Sequence, residues 1–231
     1  LNHVLKAFSA GIDGVFIGGC RFNECNYATH GNYHALNMVL LGKRLIKHIG
    51  LNPERLRLEV MSGSEGNLFA EVVDDFVRRI RALGPIGNGE GLEEGRWKAG
   101  LAETTKLVPY IKLTMREKLA SRQENPEEWD ALFTDEEIEE LFRHVPAYYI
   151  DPAKCQACMT CARRCPAGAI ISAKNQIHVI DQEKCIKCGT CLDACPPRFG
   201  AVRKIVGEPV PPPLPEGERT IVRKNKEVSN L

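Results

Sequence analysis

Apolar residues recur at two periods in the first third of the chain, and the period changes where glycine and proline fall. Leu1 to Phe8 reads as an amphipathic helix ending near Gly11. Val15-Phe16-Ile17, between Asp13-Gly14 and Gly18-Gly19-Cys20, is a short continuous run that suits a buried parallel strand. Residues 33–49 are broadly apolar and helical up to Gly50, with Asn52-Pro53 just beyond. Leu56-Arg57-Leu58-Glu59-Val60 alternates with period two, as a half-buried strand does. Phe69, Val72, Val73, Phe76, Val77, Ile80 and Leu83 then repeat at helical spacing until Gly84-Pro85. This order predicts an α/β fold, a partial parallel sheet in a three-layer arrangement with helices, whose ligands lie beyond the carboxyl ends of the strands. Cys20 stands at such an end. Because the chain opens inside a helix at Leu1, without a start methionine, this segment is expected to be incomplete at its N-terminus.

The pattern then weakens. Residues 86–95, IGNGEGLEEG, do not spell GxGxxG and follow no strand, so they predict a flexible hinge rather than a nucleotide site. Residues 96–149 read as helical, interrupted by Pro109, Pro126 and Pro146. Within them Thr134-Asp135-Glu136-Glu137 has the form of a capping box, with Ile138, Leu141 and Phe142 on the apolar side of the helix it opens. From Gly207 the chain carries Pro209, Pro211, Pro212, Pro213 and Pro215 and predicts an extended or disordered tail, or a strap across a neighbouring subunit. The expected organisation is therefore an α/β domain at 1–87, an acidic helical connector at 88–147, a small cysteine-rich α+β domain at 148–206 and a proline-rich tail at 207–231. A net charge of +1 argues for neither nucleic acid nor membrane as a partner. No apolar run approaches the roughly 20 residues of a membrane span.

Ten cysteines would suit a secreted disulfide scaffold, but eight fall in two tight repeats and no secretory leader is evident, which favours metal ligation in a reducing, cytoplasmic setting. Asp151-Pro-Ala-Lys-Cys155-Gln-Ala-Cys158-Met-Thr-Cys161-Ala-Arg-Arg-Cys165-Pro166 returns as Asp181-Gln-Glu-Lys-Cys185-Ile-Lys-Cys188-Gly-Thr-Cys191-Leu-Asp-Ala-Cys195-Pro196. Zinc favours two separated CxxC pairs, and disulfides between cysteines so close would be strained, so two blocks of four followed by proline point to iron–sulfur clusters. The repeat resembles the bacterial two-cluster ferredoxins. That resemblance implies that Cys155, Cys158, Cys161 and Cys195 hold one 4Fe-4S cluster and Cys185, Cys188, Cys191 and Cys165 the other. The second half has two extra residues in the turn through Arg198 and Phe199, expected to touch no ligand. Arg163, Arg164, Lys184 and Lys187 are candidates for steering an acidic partner or for simple solvation.

Cys20 and Cys25 stand apart, separated by four residues in GGCRFNECNYATHGNYH. On the residues alone they are small apolar residues, a dithiol pair or metal ligands. His30 and His34 read as capping or surface residues with metal ligation as the alternative, and Ser64-x-x-Asn67 reads as a helix cap. The strings Asp13-Gly14-Val15-Phe16-Ile17-Gly18-Gly19-Cys20, Cys25-Asn26-Tyr27, Gly31-Asn32-Tyr33, Asn52-Pro53-Glu54-Arg55-Leu56-Arg57-Leu58-Glu59 and Ser64-Glu65-Gly66 together resemble the delta subunit of methyl-viologen-reducing hydrogenase. The resemblance implies a 2Fe-2S cluster with Cys20 and Cys25 as two ligands and the others upstream. Many relatives carry histidine after each cysteine, where this chain has Arg21 and Asn26. It further implies a hetero-oligomeric electron-transfer subunit between a hydrogenase or formate dehydrogenase type donor and a heterodisulfide-reductase-like flavoprotein. No catalytic base, nucleophile or substrate pocket can be named. The alternatives are a thiol/disulfide oxidoreductase using Cys20 and Cys25 and an assembly factor holding zinc.

Overall fold

The computed structural model describes residues 1–27 and 31–221. The chain divides into two compact units, Leu1–Phe142 and a second beginning at Arg143. In the first, α1 (Asn2–Ser9), β1 (Val15–Gly19), α2 (Asn32–Ile49), β2 (Leu56–Val60) and α3 (Gly66–Leu83) follow the expected order. The two strands pair in parallel, Val15 opposite Leu56 through Gly19 opposite Val60. α2 stops at Gly50, which takes the left-handed conformation with φ 99° that other residues adopt only at a cost. Asn52 accepts a hydrogen bond from the Glu54 N–H and turns the chain into β2. Of the apolar stripe on α3 only Phe76 is buried, packed against Phe16 of β1.

The segment expected to be a connector belongs to this same unit. α4 (Glu94–Thr114) buries Trp97, Leu101 and Val108 with Leu5 and Phe8 of α1 and Val39 and Ile46 of α2. Its apolar positions recur every three or four residues, which sends one face into a core. The helix also runs through Pro109 rather than breaking there. α5 (Arg116–Ala120), α6 (Trp129–Leu132) and α7 (Asp135–Arg143) follow. The capping box forms as read: the Glu137 N–H donates to Thr134 Oγ1 at 3.2 Å and the Thr134 N–H to Glu137 Oε2 at 3.0 Å.

The glycine-rich stretch is likewise no free hinge. Arg55, fully buried, donates through Nε to Glu90 Oε1 at 2.6 Å and through Nη1 to the carbonyls of Asp13 and Gly84 at 2.9 Å. Glu90 also accepts the N–H groups of Asn52 and Gly87. One charge pair thus pins the residues before β1, the entry to β2, the end of α3 and the turn into α4. Composition suggested a linker, whereas a long-range ion pair fixes the turn.

The second unit holds two antiparallel pairs. β3 (Ala147–Ile150) pairs with β6 (Val202–Ile205), and β4 (Ile170–Ile171) with β5 (Val179–Ile180). Two one-turn helices, α8 (Thr160–Arg164) and α9 (Thr190–Ala194), complete it. The tail is a strap across its own unit. The Ile177 N–H donates to Arg219 O at 2.7 Å, the Ile221 N–H donates to Asn175 O at 2.8 Å, and Gln176 bridges Thr220. Proline cannot donate to a ladder, so residues 209–215 stay extended and cover a cavity instead. Residues 222–231 of the expected tail lie outside the described residues.

Arg55→Ala should destabilise the first unit by about 3–5 kcal/mol, because it leaves Glu90 charged and unpaired; urea denaturation followed by circular dichroism measures it. Burial raises the Glu90 pKa, but its bonds to Arg55 and to the N–H groups of Asn52 and Gly87 hold it below the ordinary 4.5. The pair's contribution is therefore full above pH 4.5 and lost as pH falls through the lower folded value. Ending the chain at Gly207 should lower the melting temperature of the second unit, with the two strap hydrogen bonds contributing about 1 kcal/mol each.

Candidate metal centre

The sequence repeat becomes a structural repeat. In the first half Asp151 Oδ1 accepts the Ala153 N–H, and in the second Asp181 Oδ1 accepts those of Glu183 and Lys184. Each aspartate carbonyl then accepts the N–H of the first cysteine of its motif, Cys155 or Cys185, at 3.0 Å. The loops that follow need the left-handed region. Ala157 and Met159 take φ 48° and 64° before α8, and Lys187 and Gly189 take 58° and 79° before α9. Such turns aim successive cysteines inward, and Cys155, Cys161, Cys185 and Cys191 are all buried in one core with Tyr148, Ile150, Ile170, Ile180 and Val202.

Cys155, Cys158 and Cys161 line a small cavity of about 20 Å³ together with Cys195 from the other half. Four soft thiols from two repeats around one space form a donor set suited to an iron–sulfur cluster. Among the described residues, no three His, Cys, Asp or Glu side chains are grouped to hold a single metal ion. Burial, then the neighbouring Cys155, Cys158 and Cys195, push the Cys161 thiol up to about 11. Burial raises Cys158 as well, but the Thr160 hydroxyl and backbone N–H and the charge of Arg198 bring it below its usual value. Phe199 also lines the cavity. The inserted turn therefore does act on a cysteine, contrary to the reading of its length alone.

In the other half Cys191 is pushed up to about 12 by burial, then by Cys185, Cys161 and Cys188. Such shifts mean that the sulfurs resist becoming thiolates together without a cation to neutralise them. The Ala169 N–H donates to Cys165 Sγ at 3.3 Å. Tyr148 lies against this half, its hydroxyl raised to about 12 by burial and by Cys191, Cys188, Asp193 and Cys185. Of the basic residues singled out, Arg163 and Arg164 are exposed, while Lys184 pairs with Asp181 and Lys187 donates to Gln182.

In the first unit, Cys20 lies beyond the carboxyl end of β1, on an open concavity shared with Met61, Ser62 and Glu65 past the end of β2. Cys20 lies near enough to Cys25 to help lower the pKa of its thiol. The Tyr27 N–H lowers the Cys25 pKa most; burial opposes it, and the Asn32 N–H and Cys20 add to it. Asn32, buried, donates to the carbonyls of Cys20 and Arg21 and holds the loop to the start of α2. Gly31 allows the return of the chain, since a Cβ there would meet Cys25 Sγ at 2.4 Å. Arg21 turns to Glu65, donating at 2.9 Å through Nε. Glu65, and not Ser64, marks the start of α3; it accepts the Ser62 N–H, and no side-chain cap forms there. His34 Nδ1 sits 3.0 Å from the Leu119 carbonyl, a packing role, and His30 lies outside the described residues.

Residues 1–84 match the family described as methyl-viologen-reducing hydrogenase, delta subunit, and residues 147–201 match the 4Fe-4S dicluster domain. The chain is 48% identical over 83 residues to an F420-non-reducing hydrogenase iron-sulfur subunit of Archaeoglobus profundus, covering 36% of this chain and 60% of that one. It is 41% identical over 103 residues to a Ferredoxin:CoB-CoM heterodisulfide reductase subunit of Methanosarcina mazei, covering 45% of this chain and 13% of that one. It thus spans less than two thirds of either relative.

Gly189→Ala should be strained twice, by its φ of 79° and by a Cβ 2.9 Å from the Tyr148 hydroxyl. A loss of about 1–2 kcal/mol is expected, together with a lower metal content per chain, read by thermal denaturation and elemental analysis.

Proposed function

We propose that this chain, a hydrogenase delta-subunit segment joined to a 4Fe-4S dicluster domain, is an iron–sulfur electron-transfer subunit of a hetero-oligomeric complex. It relays electrons between a hydrogenase or formate dehydrogenase type donor and a heterodisulfide-reductase-like flavoprotein. The observation that carries this reading is the cavity lined by Cys155, Cys158, Cys161 and Cys195, three sulfurs from one repeat and one from the other. In this reading those four hold one 4Fe-4S cluster, and Cys185, Cys188, Cys191 and Cys165 hold the second. When bound, such clusters supply one-electron transfer without a substrate site.

The chain's own residues bind and insulate. The buried walls of Ile150, Ala201 and Val202 limit water near the sulfurs, while the Ala169 N–H and the Thr160 hydroxyl offset sulfur charge. Cys20 and Cys25 would contribute two sulfurs to a 2Fe-2S cluster. The proximity of their thiols also favours a second reading, a dithiol cycling with a disulfide. Reduction followed by alkylation distinguishes them: a two-electron thiol couple supports the dithiol, a paramagnetic 2Fe-2S signal the relay. Among the described residues no helix is long and apolar enough to cross a membrane.

Anaerobically purified protein should carry at least about eight irons per chain and no zinc, as two 4Fe-4S clusters require. Cys158→Ala should abolish one low-temperature paramagnetic signal and largely spare the other. Zinc in place of iron, or unchanged iron in that variant, would refute the assignment.

A further inference from the structure

The two halves of the second unit differ at one matched position. Three residues before the repeated aspartate stands Tyr148 in the first half and His178 in the second. Each lies against the cysteines of the opposite half: Tyr148 against Cys185, Cys188 and Cys191, and His178 against Cys161. His178 is 1% exposed, and its Nδ1 is 3.3 Å from Cys161 Sγ. Its Nε2 is buried with no hydrogen-bond partner. The ring lines both the cavity of the four cysteines and the cavity of about 150 Å³ closed by Pro211, Pro212 and Pro213.

A sulfur bound to iron is a thiolate and can only accept. A neutral imidazole has one proton, and only the Nδ1 side of this ring has a partner, so the proton belongs on Nδ1. We propose that His178 is a positioning residue that donates this N–H to Cys161 and raises the potential of the cluster of Cys155, Cys158, Cys161 and Cys195. The reason is electrostatic. Reduction adds negative charge shared with the sulfurs, and a donor fixed on one of them favours the reduced state. At the matched place in the first half Tyr148 brings a phenol, with its hydroxyl over Gly189. The strap protects the arrangement, since its bonds to Asn175 and Ile177 hold the residues just before His178. This inference rests on the relay reading.

The test is a redox titration of the anaerobically purified full-length protein, followed by paramagnetic resonance, with Cys158→Ala assigning each signal. In His178→Phe, which has no donor, the couple assigned to the Cys158 cluster should move to a more negative potential while the other stays in place. His178→Gln, which keeps an N–H donor, should fall between parent and His178→Phe. Iron per chain should be unchanged in both. The inference is overturned if neither couple moves, if both move equally, if His178→Gln shifts as far as His178→Phe, or if both variants lose iron. A parent without iron would instead overturn the relay reading and this inference with it, whereas a parent with two clusters and an unmoved potential overturns this inference alone.

Discussion

The second unit depends on the crossing of Cys195 from the second repeat to the cysteines of the first. A CxxCxxC loop aims three sulfurs inward, and geometry leaves the fourth, beyond a single helical turn, on the far side. Cys195 therefore completes the space lined by Cys155, Cys158 and Cys161. The two halves share one core, so the short strands and five-residue helices need little stability of their own. Isolated turns of that length are not stable in water. Here they are held by a shared core of cysteine, isoleucine and tyrosine side chains.

The first unit meets its comparable problem with a different interaction. Two parallel strands offer little sheet, and α3 covers β1 with few buried side chains. The compensating contacts are the α1–α2–α4 core and the Arg55–Glu90 pair, which reaches four chain segments at once. Arginine suits this role because its fixed fork of donors can satisfy a carboxylate and several carbonyls together. The cysteine-bearing loop then rests on a fixed base: Asn32 binds its carbonyls and Gly31 lets the chain fold back over Cys25.

What the sequence made legible divides along physical lines. Periodicity located both strands and the three helices around them, because each is decided by local pattern and by Gly50 or Gly84 at its end. The Thr134–Glu137 box was readable for the same reason. The role of α4 was not, since its apolar spacing shows a buried face without saying what buries it, and proline and glycine nearby suggested a break. Arg55–Glu90 spans 35 residues of sequence and leaves no local mark. At the candidate centre the repeat itself was legible, and the structure brings Cys155, Cys158, Cys161 and Cys195 of it to one cavity. His178 was not, although alignment of the two halves on Asp151 and Asp181 sets it opposite Tyr148 and offered a signal. Arg198 and Phe199 show in the sequence only as extra length.

The C-terminal strap carries a practical consequence. Because Arg219 and Ile221 are paired to the turn at residues 175–177, residues 219–221 form a defined anchor beside the β4–β5 hairpin. A fluorophore or surface-attachment group joined after that anchor would begin at a known place on the molecule. Attachment to an electrode at Ile221 itself would therefore tether the second unit beside that hairpin.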